Sequence, residues 1–256
     1  MSLYFKSICS SSRGNCLVLW TDTTKIVIDC GLSSMKRTRA VLSDHSVDSV
    51  LITHTHGDHI SYYPLRVLEE YGHSIRLHDD CVDQLKDKHF TGIGLKNLNI
   101  KPYKKKKFTI GEFQISPFEV VHNPYYLTHG FEIYCQNKKI VIATDFCEWG
   151  SIVDKFLDSA FIFVESNHDL DLLEQNPNPN SQYHMPNPDT ADLLINVIKE
   201  SKKTPQAVML GHLSDQRNKS SIALKEIVNK FKEHDVKMDF RLLAAPLYES
   251  SEVVEI

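Results

Sequence analysis

Val50-Leu51-Ile52-Thr53-His54-Thr55-His56-Gly57-Asp58-His59 is the stretch whose reading decides the fold. Val50 to Ile52 is a short apolar run of the kind that forms a buried strand, and it stops at a polar segment with three histidines and an aspartate. If the chain stays extended, His54 and His56 stand two apart and point to the same side. Gly57 then gives the backbone freedom to turn and present Asp58 and His59 from another direction. Imidazole nitrogens and a carboxylate oxygen suit zinc, manganese or iron. Four such groups within six residues are too many for one metal that keeps an open position, so the spacing points to two divalent ions. A lone histidine after a strand is usually a surface polar residue; a compact cluster of three with an aspartate is better read as a site.

The hexapeptide His54-Thr55-His56-Gly57-Asp58-His59 resembles the signature of the metallo-β-lactamase fold superfamily. That resemblance implies an α/β protein, a four-layer αβ/βα sandwich with a metal-dependent site, and it says little about substrate.

The outer bounds agree with such a protein. At 256 residues, 41% hydrophobic and 24% charged, the chain has the composition of a soluble globular protein, and a single domain over 1–256 is expected. No apolar run approaches the roughly 20 residues that span a bilayer, and Met1-Ser2-Leu3-Tyr4-Phe5-Lys6 lacks a signal peptide's apolar core. A cytoplasmic location without membrane association is the expectation. Cys9, Cys16, Cys30, Cys81, Cys135 and Cys147 are scattered with no Cys-x-x-Cys pair, so they are read as reduced and mostly buried, not as a zinc site. A net charge of −4 gives no global attraction to nucleic acid. Lys101-Pro102-Tyr103-Lys104-Lys105-Lys106-Lys107 is a concentrated basic run; most such runs form a solvated turn, and contact with a polyanion stays open.

Taken in order, Leu3 to Ile8 alternates as a strand, Cys9 to Cys16 reads as a small-residue turn, and Leu17 to Trp20 with Lys25 to Ile28 form a hairpin around Asp22-Thr23-Thr24. Helices are expected over Met35 to Leu42, Tyr63 to Tyr71, Asp79 to Lys88 and Ala191 to Lys199. Further strands are expected over Ser74 to Leu77, Phe108 to Ile110, Phe113 to Pro117, Phe118 to His122, Thr128 to Cys135 and Lys139 to Thr144. Sheet-rich halves covered by helices suggest the sandwich; periodicity alone would not give its topology.

Several apolar strands end in a residue able to bind metal. Ile26-Val27-Ile28 ends at Asp29, a candidate to orient a metal-bound histidine through its other ring nitrogen. The same pattern puts His122, Asp145 and His212 at the mouths of later strands. Carried over position by position, the resemblance implies that His54, His56 and His122 hold one metal, that Asp58, His59 and His212 hold the other, and that Asp145 bridges them. With that set complete, two ions (zinc or manganese, with iron possible) are implied, and the chemistry is hydrolysis of a phosphate or carbonyl centre. A non-catalytic scaffold would lack some ligands, and a flavin-linked di-iron oxygen reductase would resemble a pattern with glutamate in place of His56.

Substrate is read from the ends of the chain. Ser10 to Cys16, Phe161 to Asp169 and Gly211-His212-Leu213-Ser214 resemble the YycJ (WalJ) branch of the superfamily, which implies DNA exonuclease activity. Within the middle segment, Asn167 and His168 are either folding residues that cap the next helix or substrate contacts; their family position favours the pocket. Asn176-Pro177-Asn178-Pro179-Asn180-Ser181 reads as a surface loop leading to His184. His184 resembles the extra histidine of RNase Z-like phosphodiesterases and is a candidate general acid or phosphate contact, although Pro186 departs from the usual serine or threonine there. Nucleic acid or a small phosphodiester is therefore the expected substrate. A thioester or lactone hydrolase of the glyoxalase II or lactonase type is the alternative enzyme, and a metal-retaining, non-cutting subunit of a nucleic-acid machine is the alternative of another class.

Overall fold

The apolar runs fold into two seven-stranded sheets in the computed structural model, which describes residues 2–43, 46–90 and 97–256. The first sheet contains β1 (Tyr4–Ser11), β2 (Gly14–Trp20), β3 (Lys25–Ile28), β4 (Val47–Leu51), β5 (Ser74–Arg76) and β6 (Asn99–Ile100). The second contains β7 (Phe108–Ile110), β8 (Phe113–Val120), β9 (Thr128–Cys135), β10 (Lys138–Ala143), β11 (Phe161–Glu165), β12 (Ala207–Gly211) and β13 (Arg241–Ala244). A last short strand, β14 (Val254–Glu255), returns to pair antiparallel with β1 at the edge of the first sheet.

Each sheet has an antiparallel side, most of whose strands are joined by short turns, and a parallel side, which needs crossovers. Helices supply them. In the first sheet α1 (Met35–Leu42), α2 (Tyr62–Tyr71) and α3 (Asp80–Phe90) link β3 to β6; in the second, α4 (Val153–Phe156), α5 (Leu170–Gln175), α6 (Asn187–Glu200) and α7 (Ser220–Glu233) link β10 to β13. Local chemistry sets their ends. Ser34 and Asp169 cap α1 and α5 by accepting from Arg37 N and Leu172 N, and α2 stops at Gly72, whose φ of 69° only glycine adopts readily.

Three apolar layers give the four-layer sandwich. Phe5, Leu19, Ile26 and Ile28 of the first sheet pack against Phe131, Ile142, Phe161 and Phe163 of the second. On the outer face of the first sheet, Val27, Val50 and Ile75 meet Leu42, Leu65 and Leu68 of the helices. On the outer face of the second, Val141, Ile162 and Val208 meet Leu194, Ile227 and Phe231. The expected fold class is thus what the chain adopts.

Two local expectations need correction. Cys9 to Cys16 is not a turn: β1 and β2 run on to Ser11 and Gly14, with their pairing restored after a register shift at Ser7/Cys9, so only Ser12 and Arg13 turn. Nor does Pro117 break a strand. β8 is continuous from Phe113 to Val120, because β7 reaches only as far as Ile115 on one side while β9 pairs the whole length on the other. Pro117 sits where the strand has become an edge and its missing N–H leaves no neighbour unsatisfied. The basic run lies between β6 and β7, where Lys104 and Lys105 pair with Asp79 and Glu119 at 3.4 and 3.0 Å. It forms a largely solvated, locally compensated loop.

Candidate active site

The parallel strands of both sheets end at one place, and chemistry-bearing residues follow their carboxyl ends. Asp29 follows β3, His54 follows β4, Asp145 follows β10, Glu165 ends β11 and His212 follows β12. Asp29, Asp145 and His212 share a further property: each has a positive φ, 56°, 60° and 51°. Aspartate and histidine tolerate this region better than most side chains, but it remains uncommon, and its recurrence at three strand ends turns each chain sharply at the site.

The central segment is shaped from below. The turn His56–His59 is closed by His59 and Ile60 N–H groups donating to the His56 carbonyl, both at 3.0 Å. Gly57 is not what permits it: its φ is not positive, and a β-carbon there would meet nothing within 4 Å. The required glycine is Gly31, where a β-carbon would lie 1.7 Å from the Asp58 carbonyl oxygen. Gly31→Ala is therefore expected to push the Asp58–His59 turn away, cost about 3 kcal/mol and lower bound metal. Chemical denaturation with elemental analysis checks this; an unchanged midpoint with full metal would contradict it.

Two ligand groups converge. His54, His56, His122 and Asp145 bring donor atoms within 4.8 Å of one another, and so do Asp58, His59 and His212. Asp145 lies between the groups, with Oδ2 3.1 Å from His59 Nε2 and Oδ1 3.6 Å from His212 Nε2 and 3.8 Å from His122 Nε2. Asp58 Oδ2 is 3.3 Å from His59 Nε2 and 3.4 Å from His212 Nε2. All are buried except His56 and Asp58, which reach the surface of the cleft.

The ring nitrogens turned away from the centre are occupied. His59 Nδ1 donates to Asp29 Oδ2 at 2.7 Å, and Asp29 is itself held by Thr53 N and Oγ1. His122 Nδ1 donates to the Tyr183 carbonyl at 2.9 Å, and His212 Nδ1 to Glu165 Oε1 at 2.7 Å. Each such bond fixes the tautomer and leaves Nε2 for the centre.

Charge completes the case for a metal. Burial holds His54, His56 and His122 below the usual histidine range, His56 down to about 4, so they present neutral lone pairs. Burial would raise Asp58 and Asp145, but His59 and His212 outweigh it and keep both carboxyls well below the ordinary range. In turn burial would lower His59 and His212, yet Asp145 and its neighbours raise both, His212 to about 10. Ionised carboxylates that draw protons onto buried imidazoles are compensated equally by a divalent cation. Among the described residues His122 Nε2 and Asp145 Oδ2 have no well-aligned hydrogen-bond partner, as expected of atoms that serve as ligands. The residues present fit a divalent metal.

His184 borders the same cleft, its Nδ1 2.7 Å from Glu165 Oε1 and its ring 5.0 and 5.2 Å from those of His122 and His212. Asn167 also borders it, but its side-chain amide is spent on the His212 carbonyl at 2.8 Å, and it caps no helix. His168 is not brought there. Its backbone bridges to Pro186, which turns the buried ring into a neighbouring cavity with Cys147 and Asp189.

Sequence reasoning missed Glu165 and Asn15. Glu165 is fully buried, accepts from His184, His212 and Phe146 N, and is held down to about 2 because those two histidines outweigh the upward push of burial. Its signal was present, since it ends an apolar run as Asp29 and Asp145 do. Asn15 Nδ2 lies 3.2 Å from Asp58 Oδ2, and its Oδ1 accepts from Ser10 Oγ, which accepts from His212 N. Nothing local in the Ser10 to Cys16 stretch announces contacts made across 43 and 202 residues.

Comparison with known proteins agrees with this geometry. The family model of the beta-lactamase superfamily domain matches residues 24–210. The Exodeoxyribonuclease YycJ of Bacillus anthracis is 29% identical over 252 residues, covering 87% of each chain. The Exodeoxyribonuclease WalJ of Streptococcus pneumoniae serotype 2 is 26% identical over 258 residues, covering 93% of this chain and 92% of that protein. Among solved structures, the metallo-beta-lactamase fold protein YhfI from Bacillus subtilis superposes with a TM-score of 0.78 at 15% identity over the whole of both chains, a likeness of fold. With the family model matching 187 of 256 residues (24 through 210), the chain belongs to the beta-lactamase superfamily, with the metallo-β-lactamase fold.

Proposed function

We propose that this protein is a metal-dependent hydrolase that cuts phosphodiester bonds in DNA, as an exonuclease of the YycJ type. The observation that carries the reading is one polar cleft of about 510 Å³, in which both ligand groups meet His184 and a wall of Asn178, Ser181, Ser214 and Arg217. The relatives named as exodeoxyribonucleases support it. His54, His56 and His122 would hold one ion, Asp58, His59 and His212 the other, with Asp145 shared; zinc and manganese both suit these nitrogen and oxygen donors. When bound, the two ions supply Lewis-acid activation of water and offset charge developing on the phosphate. Asp58, fixed from behind by Asn15, orients the attacking water by accepting its hydrogen bond. His184, with Nδ1 held by Glu165, gives its Nε2 proton to the departing sugar oxygen. Asn167 holds the His212 turn, and Asp29 sets the His59 tautomer. A cytoplasmic site of action accords with cysteines that form no disulfide among the described residues.

The thioester alternative is less well served, because an acyl chain needs an apolar wall and this cleft has amide, hydroxyl and guanidinium groups instead. Incubating metal-replete protein with labelled single- and double-stranded DNA, RNA and a thioester separates these readings. Stepwise release of mononucleotides from DNA is expected; turnover of the thioester alone would overturn the proposal, and binding without cutting would favour a non-catalytic subunit. A second expected result concerns Glu165. Glu165→Gln keeps only one acceptor oxygen and no charge: with that oxygen on His184 and His212 its NH₂ faces the Phe146 N–H, so the change should cost about 10- to 100-fold in metal affinity or rate. Competition with a chelator measures the affinity; a variant with unchanged affinity and rate would return Glu165 to a purely packing role.

A further inference from the structure

The floor of the cleft is the histidine and carboxylate cluster; its rim is made by two turns that lie side by side. The tip of the β1–β2 hairpin carries Arg13, and the segment after β12 carries Ser214 to Arg217. Ser11 pairs in parallel with Leu213, and Ser10 Oγ accepts from His212 N at 2.8 Å, so the two turns are fixed to each other. Both arginines border the cleft that contains Asp58, His184 and His212.

The two guanidinium groups are held differently. Arg217 is preset: its Nε donates to the Asn176 carbonyl at 2.6 Å, its backbone N–H donates to Ser214 Oγ at 3.2 Å, and its carbonyl accepts from Asp169 N at 2.8 Å. Among the described residues no carboxylate forms an ion pair with it. Arg13 is paired, with Nη2 2.7 Å from Asp215 Oδ2, yet its side chain is 66% exposed. Asp215 also accepts from Tyr248 Oη at 3.0 Å and so keeps a partner if Arg13 leaves.

We propose that Arg217 and Arg13 form an anchoring site for the backbone phosphate next to the scissile bond, with Arg217 the standing anchor and Arg13 released by Asp215 to the incoming strand. This rests on the phosphodiesterase reading above. Arg13 is exposed, whereas Asp215 is only 15% exposed but keeps the Tyr248 hydroxyl as a donor, so exchanging Asp215 for a phosphate replaces one charge-assisted pair by another, and a guanidinium fork matches phosphate oxygens in two places at once. A polyanion approaching a floor of ionised carboxylates also needs fixed cations close to the metals, and the two arginines stand on the same rim.

The test measures KM for a single-stranded oligodeoxynucleotide over a range of salt, beside KM for bis(4-nitrophenyl) phosphate, which has one phosphate and no neighbour. Arg217→Ala should lose about 10-fold more on the oligonucleotide than on the small diester, and Arg217→Lys should recover only part of that loss. Each arginine removed should flatten the salt slope by about 0.7. Asp215→Asn should lower the oligonucleotide KM by roughly 3-fold, and the gain should vanish in the Arg13→Ala background, as a coupled pair requires. Equal losses on both substrates, an unchanged salt slope, or an Asp215→Asn gain that survives without Arg13 would overturn the anchoring site. Wild-type protein that cuts neither substrate would instead overturn the phosphodiesterase reading itself.

Discussion

Asp145→Asn is expected to reduce the bound metal from about two ions per chain to one or fewer and to lower the rate on the order of 10⁴-fold, as for residues that act as a unit. Asparagine is the informative substitution because Asp145 has a φ of 60°, which asparagine tolerates and alanine does not. It also keeps the volume of a fully enclosed side chain. A carboxylate offers two oxygens, here Oδ2 towards His59 and Oδ1 between His212 and His122, whereas an amide has one oxygen and an NH₂ that repels a cation. The loss should therefore fall on coordination and not on the fold. Elemental analysis of the folded variant gives the stoichiometry directly; two tightly held ions with near wild-type turnover would remove Asp145 from the bridging position.

His184→Ala should slow hydrolysis of DNA by about 10²–10⁴-fold while metal content stays the same. A departing sugar oxygen is a poor leaving group unless it is protonated, and His184 on the cleft wall, with Nδ1 held by Glu165 and a donor atom within 4.8 Å of those of Asp145, Glu165 and His212, is close enough to the centre to protonate it. A nitrophenolate is already stable as an anion and needs far less help. The mutant-to-wild-type rate ratio on DNA should therefore be much lower than on a nitrophenyl phosphodiester. Equal losses on both would mean that His184 acts in binding or structure, and loss of metal would mean that it is a ligand.

What could be read in advance follows from the range over which each signal acts. Strand ends are local: an apolar run stopping in His54, Asp145 or His212 is visible within ten residues, and the hexapeptide from His54 to His59 pointed to the sandwich because its spacing is the superfamily's own. Contacts across the chain are not local. Asn15 reaches Asp58 through a hairpin tip that looked like a turn, and the glycine on which the central turn depends is Gly31, not Gly57, because the clash is with backbone 27 residues away. Pro117 misled for a related reason, since whether a strand tolerates proline depends on how far its neighbour extends. His168 belonged to the right segment but faces another cavity, and one residue along a chain is enough to reverse a side chain.

The central claim is that this cleft cuts DNA by means of metals held by its own histidines and aspartates. The most direct measurement takes end-labelled single-stranded DNA and compares the protein as purified, after chelation, and after readdition of zinc or manganese, with metal counted in each sample. Mononucleotide release that disappears on chelation and returns as about two ions per chain are restored is the expected result. DNA cleavage at full rate by protein shown to be free of metal would contradict the account.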